Sequence, residues 1–428
     1  MQNKVRVIFN YLKYRNTTRF KSVKAVRSHQ KRGLRKLLRH LKSKSPYYKN
    51  YLKNGGFQSL PIMEKQTMME HFDELVCVAI TKEEAFRMAI DSEKSRDFSG
   101  RMKGMTVGLS SGTSNHRGLF LASRKEADIW TGTILGRVLP KISGHQEIAF
   151  FLRANSTLYE NVRTKKIGFI YYDIYQPMRE HIRTLNETQP NVLIAPPSVL
   201  MILADAVASG DLKVKLDKVV SVAEVLEDKD RDYFKEQFSR DVIFQVYQCT
   251  EGFLGYTCEY GTLHLNEDIV MIEEEPIDDH RFIPIITDFT RRSQPIVRYR
   301  LNDVLVHKST ACPCGTPFMA LEKIEGREDD VFLFEGKGGG DVKLFPDIIR
   351  RGILYVAGIR NYQVIQTDKN NVTLLLEYDS NMDINEIQKS LTEEFHRVFE
   401  QFQIVAPRLS FGDYIHRIDK KMKRVIHL

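Results

Sequence analysis

Glu147-Ile-Ala-Phe-Phe-Leu152, Lys166-Ile-Gly-Phe-Ile-Tyr171, Val192-Leu-Ile-Ala195, Lys218-Val-Val-Ser-Val222 and Val242-Ile-Phe-Gln-Val246 are short apolar runs of strand length. Ser198–Ser209 and Lys229–Phe238, lying between them, carry helical spacing. Such alternation predicts an α/β body whose strands are mostly parallel. Toward the N-terminus, helical periodicity dominates 17–53, 60–75 and 123–138. Past about residue 254 the pattern changes to short β segments: Gly261–Leu265, Ile269–Glu273, Ile283–Thr287 and Val304–His307. A boundary is expected near Gly326–Asp330. The last stretch reads as a small α+β domain, with strands Val342–Phe345, Tyr362–Gln366 and Val372–Tyr378 and helices Asp347–Val356 and Asn385–Phe399. The expected organisation is a basic helical segment (1–59), a large α/β body with a β-rich segment (60–327) and a small α+β C-terminal domain (328–428).

The chain has 428 residues, 42% hydrophobic and 28% charged, which suits a soluble globular protein with a sizeable core. That composition excludes disordered, collagen-like and disulfide-scaffold classes. The longest uncharged stretch, Thr188–Ala204, holds three prolines and is no conventional membrane span. The start is basic without an apolar run, so no signal peptide is expected. Five cysteines, sparse and odd in number, suggest a reducing, cytoplasmic setting.

The net charge of +9 is placed unevenly. Residues 1–53 hold 17 Lys and Arg and no acid; the remainder holds 47 basic against 55 acidic residues. One reading is a solvated face on helices packed through Val23, Val26, Leu34, Leu37, Leu38 and Leu41. The others are a peripheral membrane or polyanion surface, and, ranked last, nucleic acid. Tyr47, Tyr48 and Tyr51 are expected to fix the segment to the body.

Leu109-Ser-Ser-Gly-Thr-Ser-Asn-His-Arg-Gly118 follows the strand-like Met105–Gly108. Its hydroxyls and bendable backbone suit a phosphate cradle, although such a cluster read alone is more often an ordinary surface turn. It is not the common P-loop, whose Gly-Lys-Ser/Thr ending is missing. Cys312-Pro-Cys314-Gly places two thiols on a turn, and Cys258 with His264 forms a second short pair. Four such ligands suit a closed, structural tetrahedral Zn²⁺ site; four unconnected residues is the alternative.

The 109–118 loop resembles the Ser-Ser-Gly-Thr-Thr/Ser-Gly loop of the adenylate-forming (acyl-activating) superfamily. Three further segments occur in that family's order. Tyr247-Gln-Cys-Thr-Glu251 is similar to its Tyr-Gly-x-Thr-Glu. Thr287-Asp288 followed by Pro295-Ile-Val-Arg-Tyr-Arg-Leu-Asn-Asp303 is similar to its Pro-x-x-Arg-Tyr-x-x-Gly-Asp. Gly326-Arg-Glu-Asp-Asp330 is similar to its hinge. Leu60-Pro61 with Lys65, Ala223-Glu224 and Cys312-Pro-Cys-Gly resemble the phenylacetate–coenzyme A ligase branch, which includes capsule-cluster enzymes. The resemblance spans about residues 60–428.

The resemblance implies activation of a carboxylic acid by ATP and Mg²⁺ as acyl-AMP, followed by transfer to coenzyme A, or to an amine, sugar or carrier protein. A non-catalytic nucleotide binder is the reading from another class. The implied roles are β- and γ-phosphate contacts from Ser110, Ser111, Gly112, Thr113 and Arg117, and Mg²⁺ binding by Glu251. Thr250 is placed at the α-phosphate, Tyr247 on the adenine face, Ala223 and Glu224 at its edge, and Asp303 on the ribose. Arg327 is to reach ribose or phosphate. The small domain is implied to swing about Asp329 and to bring in a catalytic lysine, Lys421, with Lys420 and Lys423 as competitors. The chain departs from the pattern at Asn115, Arg117, Gln248, Asn302 and Lys420. An acid pocket is expected around Trp130, Phe150, Tyr171, Tyr172, Pro197 and Phe253, favouring a hydrophobic acid. Relatives of this type often pair, so a homodimer is a further expectation.

Overall fold

The computed structural model describes residues 4–53, 55–110, 118–139, 144–153, 155, 162–416 and 422–428. The protein is mixed α/β. It divides into two compact units: residues 1–301 with 306–323, and residues 302–305 with 324–428.

In the first unit, β1 (Thr106–Leu109) and β2 (Leu119–Ala122) form an antiparallel hairpin around the Ser/Gly/Thr loop. The main sheet contains β3 (Gln146–Leu152), β4 (Ile167–Asp173), β5 (Val192–Ala195), β6 (Lys218–Val222) and β7 (Ile243–Gln248). They lie in the order β4-β3-β5-β6-β7 and every pairing is parallel. Helices Met178–Thr188, Pro197–Ala208 and Asp228–Gln237 supply the crossovers after β4, β5 and β6. Val192, Leu193, Val219 and Val220 are at most 1% exposed. Both faces of these strands are covered, which is why they read as continuous apolar runs rather than alternating ones.

At Cys249–Gly252 the connection changes from crossover to hairpin. β8 (Phe253–Thr257) returns antiparallel to β7, and β9 (Leu263–Leu265) pairs antiparallel with β8. β10 (Val270–Pro276) and β11 (Arg281–Asp288) form a further antiparallel hairpin.

The basic N-terminal segment is docked on the body. Val26, Leu37, Leu41, Tyr47 and Tyr48 are buried, but Val23 is 50% exposed and Tyr51 42%. Val23 begins the helix Val23–Lys44, whose buried seam starts one turn later at Val26; it is not a packing position. A helix that the periodicity did not indicate, Lys4–Tyr14, lies against the helix Arg124–Val138. Two glycines permit that approach. A Cβ on Gly132 would meet the Val7 carbonyl at 2.6 Å, and one on Gly136 would meet the Arg15 amide nitrogen at 2.9 Å.

Arg137 fastens this arrangement. It is fully buried and pairs with the equally buried Asp268 at 2.6 Å, donates to Asn266 Oδ1 at 2.9 Å and donates to the Tyr14 carbonyl. Asp268 also accepts from Arg19 at 2.8 Å. Two cations thus converge on one desolvated carboxylate, and removing it leaves Arg137 uncompensated in the interior. Asp268→Ala is expected to cost about 3–5 kcal/mol, measured as a shift of the urea unfolding midpoint.

The second unit has a four-stranded sheet in the order Arg408–Asp413, Asn371–Tyr378, Ile359–Asp368, Val425–His427. Helices Pro346–Leu354 and Ile384–Gln401 accompany it. Phe332, Phe334, Val364, Leu374, Leu391 and Phe395 are at most 1% exposed and form its core. The glycine-rich stretch after Glu335 is a hairpin turn between the antiparallel strands Phe332–Glu335 and Asp341–Leu344. Gly339 and Gly340 take φ near +80°, which glycine adopts without strain, and Lys337 pairs with Glu400 at 2.6 Å.

Candidate functional site

The β1–β2 hairpin sets the neck of the Ser/Gly/Thr loop. The Ser110 amide donates to the Gly118 carbonyl at 2.7 Å, and the Gly118 amide donates to Ser110 Oγ at 2.8 Å. Ser110 and Gly118 therefore face one another at the end of the β1–β2 ladder. Ser111, Gly112, Thr113, Asn115 and Arg117 lie outside the described residues, as do Lys420 and Lys421.

Tyr247 and Gln248 end β7, where a bulge breaks the register with β8. Tyr247 is buried, and Gln248 Oε1 accepts from Trp130 Nε1 at 3.2 Å. Thr250 Oγ1 donates to Glu251 Oε2 at 2.9 Å. Burial drives the Tyr299 phenol far above its usual range, and Glu251, which it hydrogen-bonds, adds to the effect. Tyr299 therefore stays a neutral phenol beside Glu251. Arg291 spans from this turn to β2, donating to the Thr250 carbonyl at 3.1 Å and the Leu121 carbonyl at 3.3 Å.

Ala223 sits at φ 68°, the left-handed region that a side chain rarely occupies, immediately after β6. Strain of this kind gathers at functional turns. The Glu224 side chain is fully buried. Its Oε1 pairs with Arg153 at 3.2 Å and its Oε2 accepts from the Ser198 amide at 3.1 Å, in the first turn of Pro197–Ala208. The carboxylate thus compensates a helix N-terminus, and the polypeptide at Ala223 is what remains to meet a ligand.

An apolar cavity of about 140 Å³ opens beside these turns. Trp130, Ile134 and Val138 wall it from the helix Arg124–Val138; Phe150, Val220 and Val246 wall it from the sheet. Ala223 and Gln248 also border it. This helix therefore has two working faces: Gly132 and Gly136 receive the N-terminal helix, while Trp130, Ile134 and Val138 face the cavity. Of the expected pocket residues, Trp130 and Phe150 line the cavity and the other four do not. Tyr171 donates its hydroxyl to the Leu152 carbonyl, and Tyr172 stacks on Phe151. Pro197 opens a crossover helix and Phe253 is buried within β8.

In the second unit, Arg327 Nε stands 3.8 Å from Asp303 Oδ1. Asn302, at the position where a glycine was expected, donates to Asp329 Oδ2 at 2.7 Å. Lys423 is paired with Asp330 at 2.8 Å and so has a partner within its own unit.

Cys258, His264, Cys312 and Cys314 come together with all ligand atoms within 4.8 Å of one another. Cys258 Sγ and Cys312 Sγ are 3.6 Å apart, and Cys314 Sγ is 3.4 Å from His264 Nε2. The other ring nitrogen, Nδ1, lies 3.2 Å from the Phe318 carbonyl, which fixes a tautomer leaving Nε2 free to ligate. Burial lowers the His264 pKa, favouring the neutral ring a metal needs.

Several positioning residues carry no motif. Glu126 caps its own helix through Ser123 and also accepts from the Arg292 and Ser293 amides at 2.5 and 2.8 Å. Gln294 accepts from the Leu121 amide and donates to the Leu119 carbonyl, bracing β2. Only the Ser-x-x-Glu cap signature at 123–126 was available to find the first. Burial opposes ionisation of Glu126, but Arg291 and the hydrogen bonds from Ser123 and Ser293 outweigh it, and its pKa falls below 4.5. A depressed carboxylate stabilises the fold above its unfolded pKa and loses that contribution as pH falls through the folded value. Glu126→Gln is expected to lower stability at neutral pH and flatten the acid limb of a stability–pH profile measured by thermal melts.

Comparison with known proteins finds relatives in sequence and in fold. Indoleacetate–lysine synthetase of Pseudomonas savastanoi is 27% identical over 236 residues, 53% of this chain and 51% of the relative. Protein CapK of Staphylococcus aureus is 24% identical over 231 residues, covering 52% and 50%. The chain thus spans about half the length of these curated relatives. No protein-family model matches the sequence. Among solved structures, 2-hydroxyisobutyryl-CoA ligase in the postadenylation state with 2-HIB-AMP superimposes with a TM-score of 0.69 at 17% identity, covering 94% of this chain and 89% of that one. In sequence the chain is similar to these two relatives over about half of its length, and its fold is that of the 2-hydroxyisobutyryl-CoA ligase.

Proposed function

We propose that the protein activates a hydrophobic carboxylic acid with ATP, forming acyl-AMP and pyrophosphate. The supporting observation is that two nucleotide-type turns border one apolar cavity: Ala223 from the Ala-Glu pair and Gln248 from Tyr-Gln-Cys-Thr-Glu. The acid's apolar part occupies the cavity, and its carboxylate lies near the strand ends. Ligands of parallel sheets bind beyond the carboxyl ends of the strands. The volume is close to that of a cavity known to hold one benzene ring, about 150 Å³, so a single-ring acid fits.

A carboxylate oxygen attacks the α-phosphorus, the bond to the bridging oxygen breaks, and pyrophosphate leaves with that electron pair. Catalysis is then placement and charge neutralisation. Glu251, hydrogen-bonded by Thr250 and beside Tyr299, is the ligand for Mg²⁺, a cation that binds through one or two carboxylates plus phosphate oxygens. Ser110 with the loop 111–117 takes the β- and γ-phosphates, and Thr250 the α-phosphate. Tyr247 and Ala223 take the adenine, and Asp303 the ribose hydroxyls with Arg327 beside it. Lys421 supplies the positive charge near the α-phosphate, and Asp329 is the hinge. Coenzyme A is the acceptor in the first reading. The likeness to a synthetase whose name joins an acid to lysine favours an amine in the second.

Carboxylate-dependent exchange of labelled pyrophosphate into ATP tests the adenylation step across a panel of single-ring acids. Glu251→Gln and Asp303→Ala are expected to lower exchange by at least about 10²-fold. Lys421→Ala is expected to lower exchange while sparing product formation from supplied acyl-AMP. No exchange with any acid overturns the reading. Offering coenzyme A and lysine in parallel product assays separates the two acceptors.

Cys258, His264, Cys312 and Cys314 hold a structural Zn²⁺ in this reading. The 3.4–3.6 Å ligand separations approach the edges of a tetrahedron with Zn–S of about 2.3 Å and Zn–N of about 2.0 Å. Four protein ligands leave no position for a catalytic water. Replacing Cys312 and Cys314 by Ser is expected to remove about one zinc per chain, read by elemental analysis, and to lower the melting temperature.

A further inference from the structure

The helix Lys4–Tyr14 is amphipathic in the wrong sense for a surface helix. Its inner face carries Val7, the polar Asn10 and Tyr14, with Arg6 reaching Asp128 at 2.8 Å. Its outer face carries Val5, Ile8, Phe9 and Leu12, exposed by 77, 57, 64 and 51%. Those four stand at i, i+3, i+4 and i+7 and form one continuous stripe. The glycines of the supporting helix and the Arg6–Asp128 pair set the rotation of this helix, so the stripe cannot turn inward without breaking both.

The segment that follows is basic along its length. In the helix Val23–Lys44, Lys24, Arg27, Lys31, Arg35, Arg39 and Lys42 recur at three- and four-residue steps and are all exposed. Among the described residues no carboxylate forms an ion pair with any of them, and residues 1–53 contain no acid at all. Exposed apolar side chains joined to a large single-sign charge suit a surface that offers hydrocarbon beneath anionic headgroups. A nucleic acid would use the charge and leave the stripe wet.

We propose that the protein docks on anionic membranes, the Val5–Leu12 stripe entering the interfacial layer while the Val23–Lys44 helix meets the headgroups. The partner is a bilayer rich in acidic phospholipid; no described helix is long and apolar enough to cross it. This goes beyond the adenylation reading and does not depend on it.

Flotation of the full chain with vesicles of equal phosphatidylglycerol and phosphatidylcholine, against phosphatidylcholine alone, tests it. The wild type is expected to float with the anionic vesicles and to be released by raised salt. The double variant Ile8→Glu, Phe9→Glu is expected to bind at least tenfold less, with an unchanged circular dichroism melt because both side chains are exposed. The triple variant Lys31→Glu, Arg35→Glu, Arg39→Glu is expected to lose the preference for anionic lipid. Equal binding by wild type and the Ile8/Phe9 variant overturns the role of the stripe. Failure of the wild type to float overturns the proposal. If light scattering then shows a wild-type dimer that the Ile8/Phe9 variant separates, the stripe is a contact between copies instead.

Discussion

Glu126 is the point on which the candidate site turns. It is a buried carboxylate that accepts hydrogen bonds from Ser123 at the start of its helix and from Arg292 and Ser293 some 170 residues later. Burying it without those donors and without the Arg291 charge would be prohibitive. Because the donors are present, the same group starts the helix that walls the cavity and holds the 291–294 segment against β2. Arg291 then reaches the Thr250 carbonyl, so the turn carrying Glu251 takes its position from the same cluster. Hydrogen bonds to an ionised group are among the stronger ones proteins make, which makes this a reasonable place to anchor a site that must hold charged oxygens.

The helix Arg124–Val138 carries that order outward. One side contributes Trp130, Ile134 and Val138 to the cavity; the other gives up side chains at Gly132 and Gly136 so that the N-terminal helix can lie close. Arg137, near its end, gathers Asp268, Asn266 and the Tyr14 carbonyl. The basic N-terminal segment is therefore structurally continuous with the cavity wall, whatever surface it meets outside. Its outward apolar stripe is a cost to a protein surrounded by water and a gain at a lipid interface.

Different parts of the site were legible to different depths. The left-handed turn at Ala223 and the hairpin after β7 are seen only in the fold. The motif residues themselves, Tyr247–Glu251 and Ala223-Glu224, show in short stretches of sequence. The acid pocket does not. Tyr171, Tyr172, Pro197 and Phe253 are aromatic or apolar, as a pocket residue should be, yet stacking, a backbone hydrogen bond and burial in the sheet use them up elsewhere. Composition alone cannot tell a residue facing a void from one facing a neighbour. Glu224 makes the same point for charge: adjacency to Ala223 suggests a ligand contact, but Arg153 and a helix N-terminus claim its carboxylate.

The alternation of apolar runs with helical ones, the change to hairpins after residue 254 and the two short pairs Cys258/His264 and Cys312/Cys314 rest on near-neighbour spacing, so they could be read directly from the chain; that the two pairs meet across some fifty residues is shown by the fold. Strand order, the helix at Lys4–Tyr14, the orientation of its apolar face and the convergence of Glu126, Arg291 and Thr250 rest on contacts between residues distant in the chain, 41 positions apart for Arg291 and Thr250 and 166 for Glu126 and Arg292. Nothing in local spacing encodes such contacts; only the folded arrangement, by deciding which buried charge meets which donor, settles them.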